Sequence, residues 1–244
     1  MLLCNYETGY FLESITTIQG RRYNMLPPES KVKPLVSRNI SKDDVAGFFR
    51  SLLLDENHIS ILKLVNKFTI LDFDTIKPFL GYKFKECKKR IDECILTGLI
   101  FENHIKLDDV EYFWYMVDSG GLYALEEMDM KLEDNHMPFT TGLEQKYKQY
   151  VKSTFMIHNY DLYTFRSNDH AIDEKGKEYQ IVHLEDVMWS QKNEYDNTIF
   201  IVNLDILEKL RINNLIFKHL VQELSTRNNI FYDMDQKTFL EIRY

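Results

Sequence analysis

The sequence predicts an α+β protein, in which a helical segment that ends in a β-hairpin precedes a smaller mixed α/β domain. Three observations predict this class. Apolar residues recur at helical spacing in short segments between residues 41 and 97. Aromatic and β-branched runs follow at 99–101 and 110–117, and more strand candidates alternate with helices after residue 142. The 244 residues are enough for two domains of ordinary size.

Residues 1–40 are predicted to form an extended N-terminal arm. Residues 10–12 and 15–18 are candidates for a pair of short strands. Three prolines lie in the second half of this segment: Pro27, Pro28 and Pro34. Proline fixes φ and lacks an amide hydrogen, so these residues disfavour regular helix. The first domain boundary is therefore predicted at residue 40.

Residues 41–133 are predicted to form the first domain, which begins with two helices. Ser41 and Asp44 have the spacing of a helix-starting capping box. Apolar residues at helical spacing then extend this helix to about residue 54. A second run with the same spacing covers residues 59–68.

Two further helices follow in this domain. Asp72 is the predicted N-cap of a short helix that ends at Gly81. Pro78 lies inside that helix and removes one backbone donor. A longer helix is predicted from about residue 83 to residue 97, ending at Gly98.

A β-hairpin is predicted to follow the last of these helices. Its strands are residues 99–101 and 110–117, joined by a loop at 102–109. An amphipathic helix comes next, around residues 122–132. The polar segment 134–142 is the predicted boundary between the two domains.

The order of helix, short helix, glycine turn, helix, strand, loop and strand resembles the winged helix-turn-helix family. The resemblance covers residues 57–117 and is carried by Leu-Gly-Tyr at 80–82, Lys-Lys-Arg-Ile at 88–91 and Leu-Thr-Gly-Leu-Ile-Phe at 96–101. It implies that the helix beginning near residue 83 enters the major groove of double-stranded DNA. It also implies that the hairpin is a wing beside that helix.

The faces of this helix suggest how it binds. One side is apolar and is predicted to face the core: Phe84, Cys87, Ile91, Cys94 and Ile95. Residues 82–90 carry five positive charges against Glu86 alone. Lysine supplies sequence-independent affinity for phosphate, whereas Arg90 is the candidate for reading guanine. The predicted DNA-binding residues are Tyr82, Lys83, Lys85, Lys88, Lys89 and Arg90, with His104 and Lys106 at the tip of the wing.

The overall charge limits any DNA contact to a local patch. The net charge is −8, whereas proteins that wrap nucleic acid are usually basic. The predicted wing is itself acidic, with Glu102, Asp108, Asp109 and Glu111. A solvated lysine face without DNA affinity is therefore an alternative interpretation of the helix.

No catalytic residue, cofactor or metal site is predicted, and the protein is not predicted to be an enzyme. GxxxxGK[ST], GxGxxG and GxSxG patterns are all missing from the sequence. Carboxylates that a magnesium site would need are scattered: Asp161, Asp169, Asp173, Glu178 and Glu185. A nuclease-like pattern of Asp233 or Asp235 with residues 241–243 has Arg243 where lysine is required.

Cysteine usage and hydropathy bear on localisation. Cys4, Cys87 and Cys94 form no CxxC pair, so they are predicted to be reduced thiols, mostly buried. The sequence contains no apolar run of about 18 residues and no secretory pattern at its start. A cytoplasmic location is therefore expected.

Residues 134–244 are predicted to form an α/β domain for dimerisation or partner binding. The expected helices are 143–155 and 205–225, and the expected strands are 161–165, 179–184, 198–204, 230–232 and 238–242. In the order of its parts, the chain resembles the replication-relaxation type proteins of plasmids and phages. The predicted function is a homodimeric DNA-binding regulator of transcription or replication of a mobile element.

Two alternatives to this function stay open. A plasmid replication initiator would need residues 204–244 to form a second winged domain, which their final hairpin permits. A protein-binding module, such as a phage-encoded inhibitor, would have no DNA affinity, and the acidic balance favours it.

Overall fold

A computed structural model describes residues 2–5, 11–13, 31–33, 40–51, 53–107, 110–133, 136–138, 140–184, 186, 195–202, 229–234 and 236–239. The described residues up to Tyr150 form one compact unit, and those from Val151 form a second. This division lies after the polar segment 134–142, where the sequence predicts a boundary. The protein is an α+β protein with two sheets.

The first unit combines helices with a six-stranded sheet. Its helices are α1 (Lys42–Arg50), α2 (Glu56–Phe68), α3 (Phe73–Phe79), α4 (Phe84–Leu96), α5 (Ser119–Glu127) and the first half of α6 (Leu143–His158). Its strands are β1 (Leu2–Asn5), β2 (Phe11–Glu13), β3 (Lys31–Lys33), β4 (Leu71–Asp72), β5 (Ile100–Leu107) and β6 (Val110–Val117). The strand order is β2-β1-β3-β5-β6-β4.

Side-chain caps begin α1 and α3 where the sequence predicts. Ser41 and Asp44 form a reciprocal capping box at the start of α1. Asp72 accepts a hydrogen bond from the Thr75 amide at 2.7 Å and caps α3. Gly81 and Gly98 follow α3 and α4 with φ of 70° and 68°, a conformation that glycine adopts without strain. Pro78 is accommodated in the last turn of α3.

The hairpin differs from the prediction in its length. β5 extends to Leu107 and pairs with β6 along its whole length, from Ile100 opposite Val117 to Leu107 opposite Val110. The predicted loop at 102–109 is therefore wrong. Phe101, Asn103 and Ile105 are buried while Glu102 and His104 are half-buried, an alternation typical of a strand with one covered face.

The N-terminal segment also differs from the predicted arm. β1 pairs with β2, and β3 pairs with β5 antiparallel, so all three strands belong to the sheet of the hairpin. Residues 11–13 therefore pair with residues 2–5. Residues 15–18, their predicted partner, lie outside the described residues. Such pairing joins segments far apart in the sequence, which local patterns do not reveal.

An aromatic layer covers one face of the hairpin. Trp114 is fully buried and stacks on Tyr150 of α6, with ring centroids 4.6 Å apart. The Tyr150 hydroxyl donates to Asp72 Oδ2 at 2.6 Å. Lys146, only 4% exposed, donates from Nζ to Asn103 Oδ1 at 2.8 Å. This helix therefore fastens to both β5 and the start of α3.

The second unit is built on another six-stranded sheet. It contains the second half of α6 and the strands β7 (Tyr163–Ser167), β8 (His170–Asp173), β9 (Glu178–His183), β10 (Thr198–Val202), β11 (Ile230–Asp233) and β12 (Thr238–Phe239), in the order β12-β11-β10-β9-β8-β7. β9, β10 and β11 are parallel, and the other neighbours are antiparallel. The sequence prediction missed β8.

The C-terminal hairpin is part of this sheet. β11 and β12 pair antiparallel as predicted, and β11 also pairs parallel with β10. The replication-initiator alternative requires residues 204–244 to form a separate winged domain. A parallel partner from β10, which precedes those residues, is not part of that arrangement. The predicted helix at 205–225 lies outside the described residues. Within the described part of the chain, no helix is long and apolar enough to cross a membrane.

Gly121 tests the close approach of α5 to Leu99, the residue directly before β5. A Cβ atom at this position would lie 2.1 Å from the backbone oxygen of Leu99, which cannot move without disturbing the sheet. We expect Gly121→Ala to lower the free energy of unfolding by about 3 kcal/mol in urea titrations. Gly47→Ala is the matched control, because nothing lies within 4 Å of its Cβ position in α1. It should stabilise by about 0.5–1 kcal/mol, and equal effects would contradict this account.

Lys146 should make stability depend on pH. Burial lowers the pKa of its ammonium group from 10.5 to about 8. Between these values the unfolded chain binds more protons, so stability rises as the pH increases. We expect the free energy of unfolding of the wild type to rise by about 2 kcal/mol relative to Lys146→Met between pH 7.5 and 10. Lys148→Met, which changes a neighbouring residue on α6, should show the same rise in the free energy of unfolding with pH as the wild type. If Lys146→Met shows that rise as well, the prediction is wrong.

Candidate nucleic-acid interface

One side of α4 is buried and the other carries lysines. Cys87, Ile91 and Cys94 are buried. Four lysines at or near the beginning of the helix are exposed: Lys83, Lys85, Lys88 and Lys89. We call these four residues the α4 lysine surface. Because positions 85, 88, 89 and 92 lie on one face of a helix, Asp92 adjoins the lysines and offsets part of their charge.

The beginning of α4 is open. Lys83 is its N-cap and makes no side-chain capping hydrogen bond. The first amides of an uncapped helix carry partial positive charge and lack intrahelical acceptors, so they attract anions. Tyr82, by contrast, is half-buried, and its hydroxyl donates to Asn57 Oδ1 at 3.2 Å. Burial raises the pKa of Tyr82, and its hydrogen bond ties the turn to α2.

Arg90 is held by carboxylates. Its Nη1 lies 2.8 Å from Asp55 Oδ2 and 3.8 Å from Glu93 Oε2, and the side chain is half-buried. Asp55 therefore competes with any DNA base for this guanidinium group, and the reading of guanine by Arg90 stays a prediction. The sequence shows a basic residue on the helix, but not that the N-cap of α2 lies beside it.

His58 joins the same carboxylates and was missed by the sequence analysis. It is 1% exposed, with Nδ1 2.8 Å from Asp55 Oδ1 and Nε2 2.9 Å from Glu93 Oε2. Asp55 and His58 also form the capping box of α2. Asp55, His58, Arg90 and Glu93 make up what we call the ion-pair cluster. It fastens the start of α2 to the middle of α4.

The sequence predicts that His104 and Lys106 lie at the tip of the hairpin, whereas the structure places them in a strand. Both are in β5, which pairs with β6 as far as Leu107 opposite Val110, and residues 108–109 lie outside the described residues. His104 stacks on Phe113 with centroids 4.7 Å apart, and its Nε2 lies 3.2 Å from Glu111 Oε2 without hydrogen-bond geometry. Lys106 is opposite Glu111 and Lys31 in the strand register.

The acidic residues of the hairpin affect the same surface. Glu102 is half-buried, and burial raises the pKa of its carboxyl group, while a hydrogen bond from Tyr115 and the charges of His104 and Lys88 lower it. Lys88 therefore interacts electrostatically with Glu102 of β5 as well as with the charges on its own helix. The hairpin contributes negative charge beside the α4 lysine surface, which lowers the attraction of this region for phosphate.

The helix pattern predicts that Phe84 packs in the core, but in the structure it is exposed. It is 60% exposed and contacts the Phe73 ring edge-on, with centroids 5.0 Å apart. As the first residue of α4, it stands between Lys83 and Lys85 in the sequence. The apolar repeat includes Phe84, but the core beneath α4 begins only at Cys87.

The described residues contain no group of three or more His, Cys, Asp or Glu suited to a metal ion. Asp173 instead accepts hydrogen bonds from the Lys175 and Lys177 amides in a turn. Glu185, Asp235, Glu241 and Arg243 lie outside the described residues. Cys87 and Cys94 are free and buried, as predicted, and burial raises the pKa of the Cys87 thiol to about 11.

The ion-pair cluster predicts a large energetic role for His58. His58→Ala removes the hydrogen bonds of a buried ring to two carboxylates, which then have Arg90 but not the histidine beside them, so we expect the free energy of unfolding to fall by about 3 kcal/mol. Lys89→Ala is the control, because Lys89 Nζ lies 3.7 Å from Glu93 Oε1 and is 71% exposed. Its effect should stay below about 0.5 kcal/mol. Losses of similar size in denaturant titrations would show that the cluster does not hold α4.

In the structure Lys85, Lys88 and Lys89 are exposed on one face of α4 and Lys83 is exposed at its N-cap, while Tyr82 and Arg90 contact α2 and its N-cap, and His104 and Lys106 lie within β5. The surface is therefore smaller than the sequence predicts and consists of lysines with an exposed phenylalanine. In comparisons with known proteins, the chain matched no family model, no curated protein and no solved structure.

Proposed function

We propose that residues 57–117 form a winged helix-turn-helix unit and that the protein binds double-stranded DNA through the α4 lysine surface. The observation that carries the proposal is the order α2, β4, α3, α4, β5, β6, with β4 paired to the far side of β6. In winged helix proteins this order makes the helix before the hairpin the recognition helix. Here that helix is α4, which carries the exposed lysines.

The chemistry of this surface suits the phosphate backbone. Exposed ammonium groups neutralise phosphates and release counterions, which gives affinity that is independent of sequence and sensitive to salt. The uncapped amides at the beginning of α4 add donors for a phosphate oxygen. Both features lie at the end of the helix that enters the groove in this class of protein.

The acidic balance of the chain limits the strength of binding. With a net charge of −8 and Arg90 held by Asp55, one copy offers DNA only a few free cations. We therefore propose that the protein acts as a homodimer, which would present two α4 helices about one DNA turn apart. The unit that begins at Val151 would then serve dimerisation or partner binding, and the function would be regulation of transcription or replication.

A protein-binding module is the second candidate. Exposed large apolar side chains on the first unit favour it: Leu53, Phe79, Phe84, Leu96 and Phe113. Apolar residues of this kind mark protein contacts when they form a continuous patch. Such a module would not lose affinity for its partner in proportion to the lysines removed from α4, whereas a DNA-binding protein would.

Selection of bound genomic fragments, followed by titration in increasing salt, tests DNA binding. We expect Lys85/Lys88/Lys89→Ala to bind the selected fragments at least about tenfold more weakly and to reduce the slope of log affinity against log salt by up to about 3. Lys63/Lys131/Lys175→Ala is the matched control, since it removes the same charge from exposed positions on other elements. Equal affinities and slopes for the two variants would overturn the proposal.

A further inference from the structure

Phe84 is an exposed aromatic ring that contacts the fold through one other ring. Its exposed fraction of 60% is higher than that of Leu96, Leu162 or the other exposed large apolar side chains in the part of the chain that the structure describes. Leaving such a ring in water forgoes the stabilisation that burial would give. The ring contacts Phe73 of α3 edge-on, with centroids 5.0 Å apart. Phe84 is therefore held at the surface, at the end of α4 where the helix amides are open.

The surroundings of the ring are cationic. Lys83 and Lys85 flank it in the sequence and are exposed, and Lys77 Nζ lies 5.9 Å from the centroid of the Phe73 ring. A matching ligand must offer anionic groups at its edges and an apolar group between them. A second copy of this surface does not fit, because a two-fold contact would bring the lysines of one copy against those of the other.

The major groove of DNA offers that combination. Phosphates line its edges, and the C5-methyl group of thymine is the apolar group that its floor displays. We propose that Phe84 contacts this methyl group and selects thymine at one position of each half-site. This inference rests on the proposed DNA binding through α4. It supplies base specificity to a surface whose lysines bind phosphate alone and whose Arg90 is held by Asp55.

Duplexes in which uracil replaces thymine one base at a time test the contact, because uracil differs only by the missing methyl group. At one position in each half-site, we expect the wild type to bind uracil duplexes about fourfold more weakly, equivalent to about 0.8 kcal/mol. Phe84→Ala should bind thymine and uracil duplexes equally. Leu96→Ala is the matched control, since Leu96 is 58% exposed at the other end of α4, and it should keep the wild-type discrimination.

The possible outcomes separate this inference from the proposal on which it rests. Lys85/Lys88/Lys89→Ala should lower the affinity for thymine duplexes and for uracil duplexes by the same factor. If the wild type binds DNA but uracil costs nothing at any position, or costs the same in Phe84→Ala, the thymine contact is overturned and DNA binding stands. If Phe84→Ala changes only self-association in sedimentation, the ring belongs to a protein contact and the inference also fails. If no duplex binds in a salt-dependent way, the proposed function itself fails.

Discussion

The ion-pair cluster is the constraint on which the geometry of the candidate site depends. His58 is buried between Asp55 and Glu93, and Asp55 also holds Arg90, so the start of α2 and the middle of α4 share one set of hydrogen bonds. A histidine ring that is only 1% exposed needs such partners, because its polar nitrogens have little access to water. Arg90 of α4 takes part in the cluster, whereas the lysines on the opposite face of the helix are exposed to water. The exposed surface that remains consists of lysines beside Phe84.

Features set by neighbouring residues could be predicted from the sequence, and features set by distant residues could not. The caps at Ser41 and Asp72 and the glycine ends at Gly81 and Gly98 follow local rules, and the structure has them. The length of β5 and the placement of β3 depend on pairing between distant segments. In the same way, periodicity indicated which side of α4 is apolar, but not that the core stops short of Phe84. The sequence analysis gave Arg90 a role in DNA binding because its partner Asp55, the N-cap of α2, lies far from it in the sequence and no local pattern reveals the contact.

The candidate site divides two tasks between two kinds of side chain. Ammonium groups on flexible stems tolerate many phosphate positions, which suits a surface that must attract any DNA. In the proposed complex, the ring of Phe84, which contacts Phe73 edge-on, would discriminate between bases by the presence of a methyl group. The charge of the whole chain fits this division, since a strongly basic surface would make non-specific binding dominate over a discrimination of a few fold.

The pairing of β3 with β5 changes what the smallest working fragment of this protein is. β4 covers one edge of the hairpin and β3 covers the other, so neither β5 nor β6 has an open row of backbone donors and acceptors along the paired residues. Residues 41–133, the domain that the sequence suggests, would lack β3 and would leave the edge of β5 open beside His104. An open strand edge recruits other chains. Aggregation of that fragment would reflect a missing strand rather than an unstable fold, and residues 31–33 belong to the domain that carries α4.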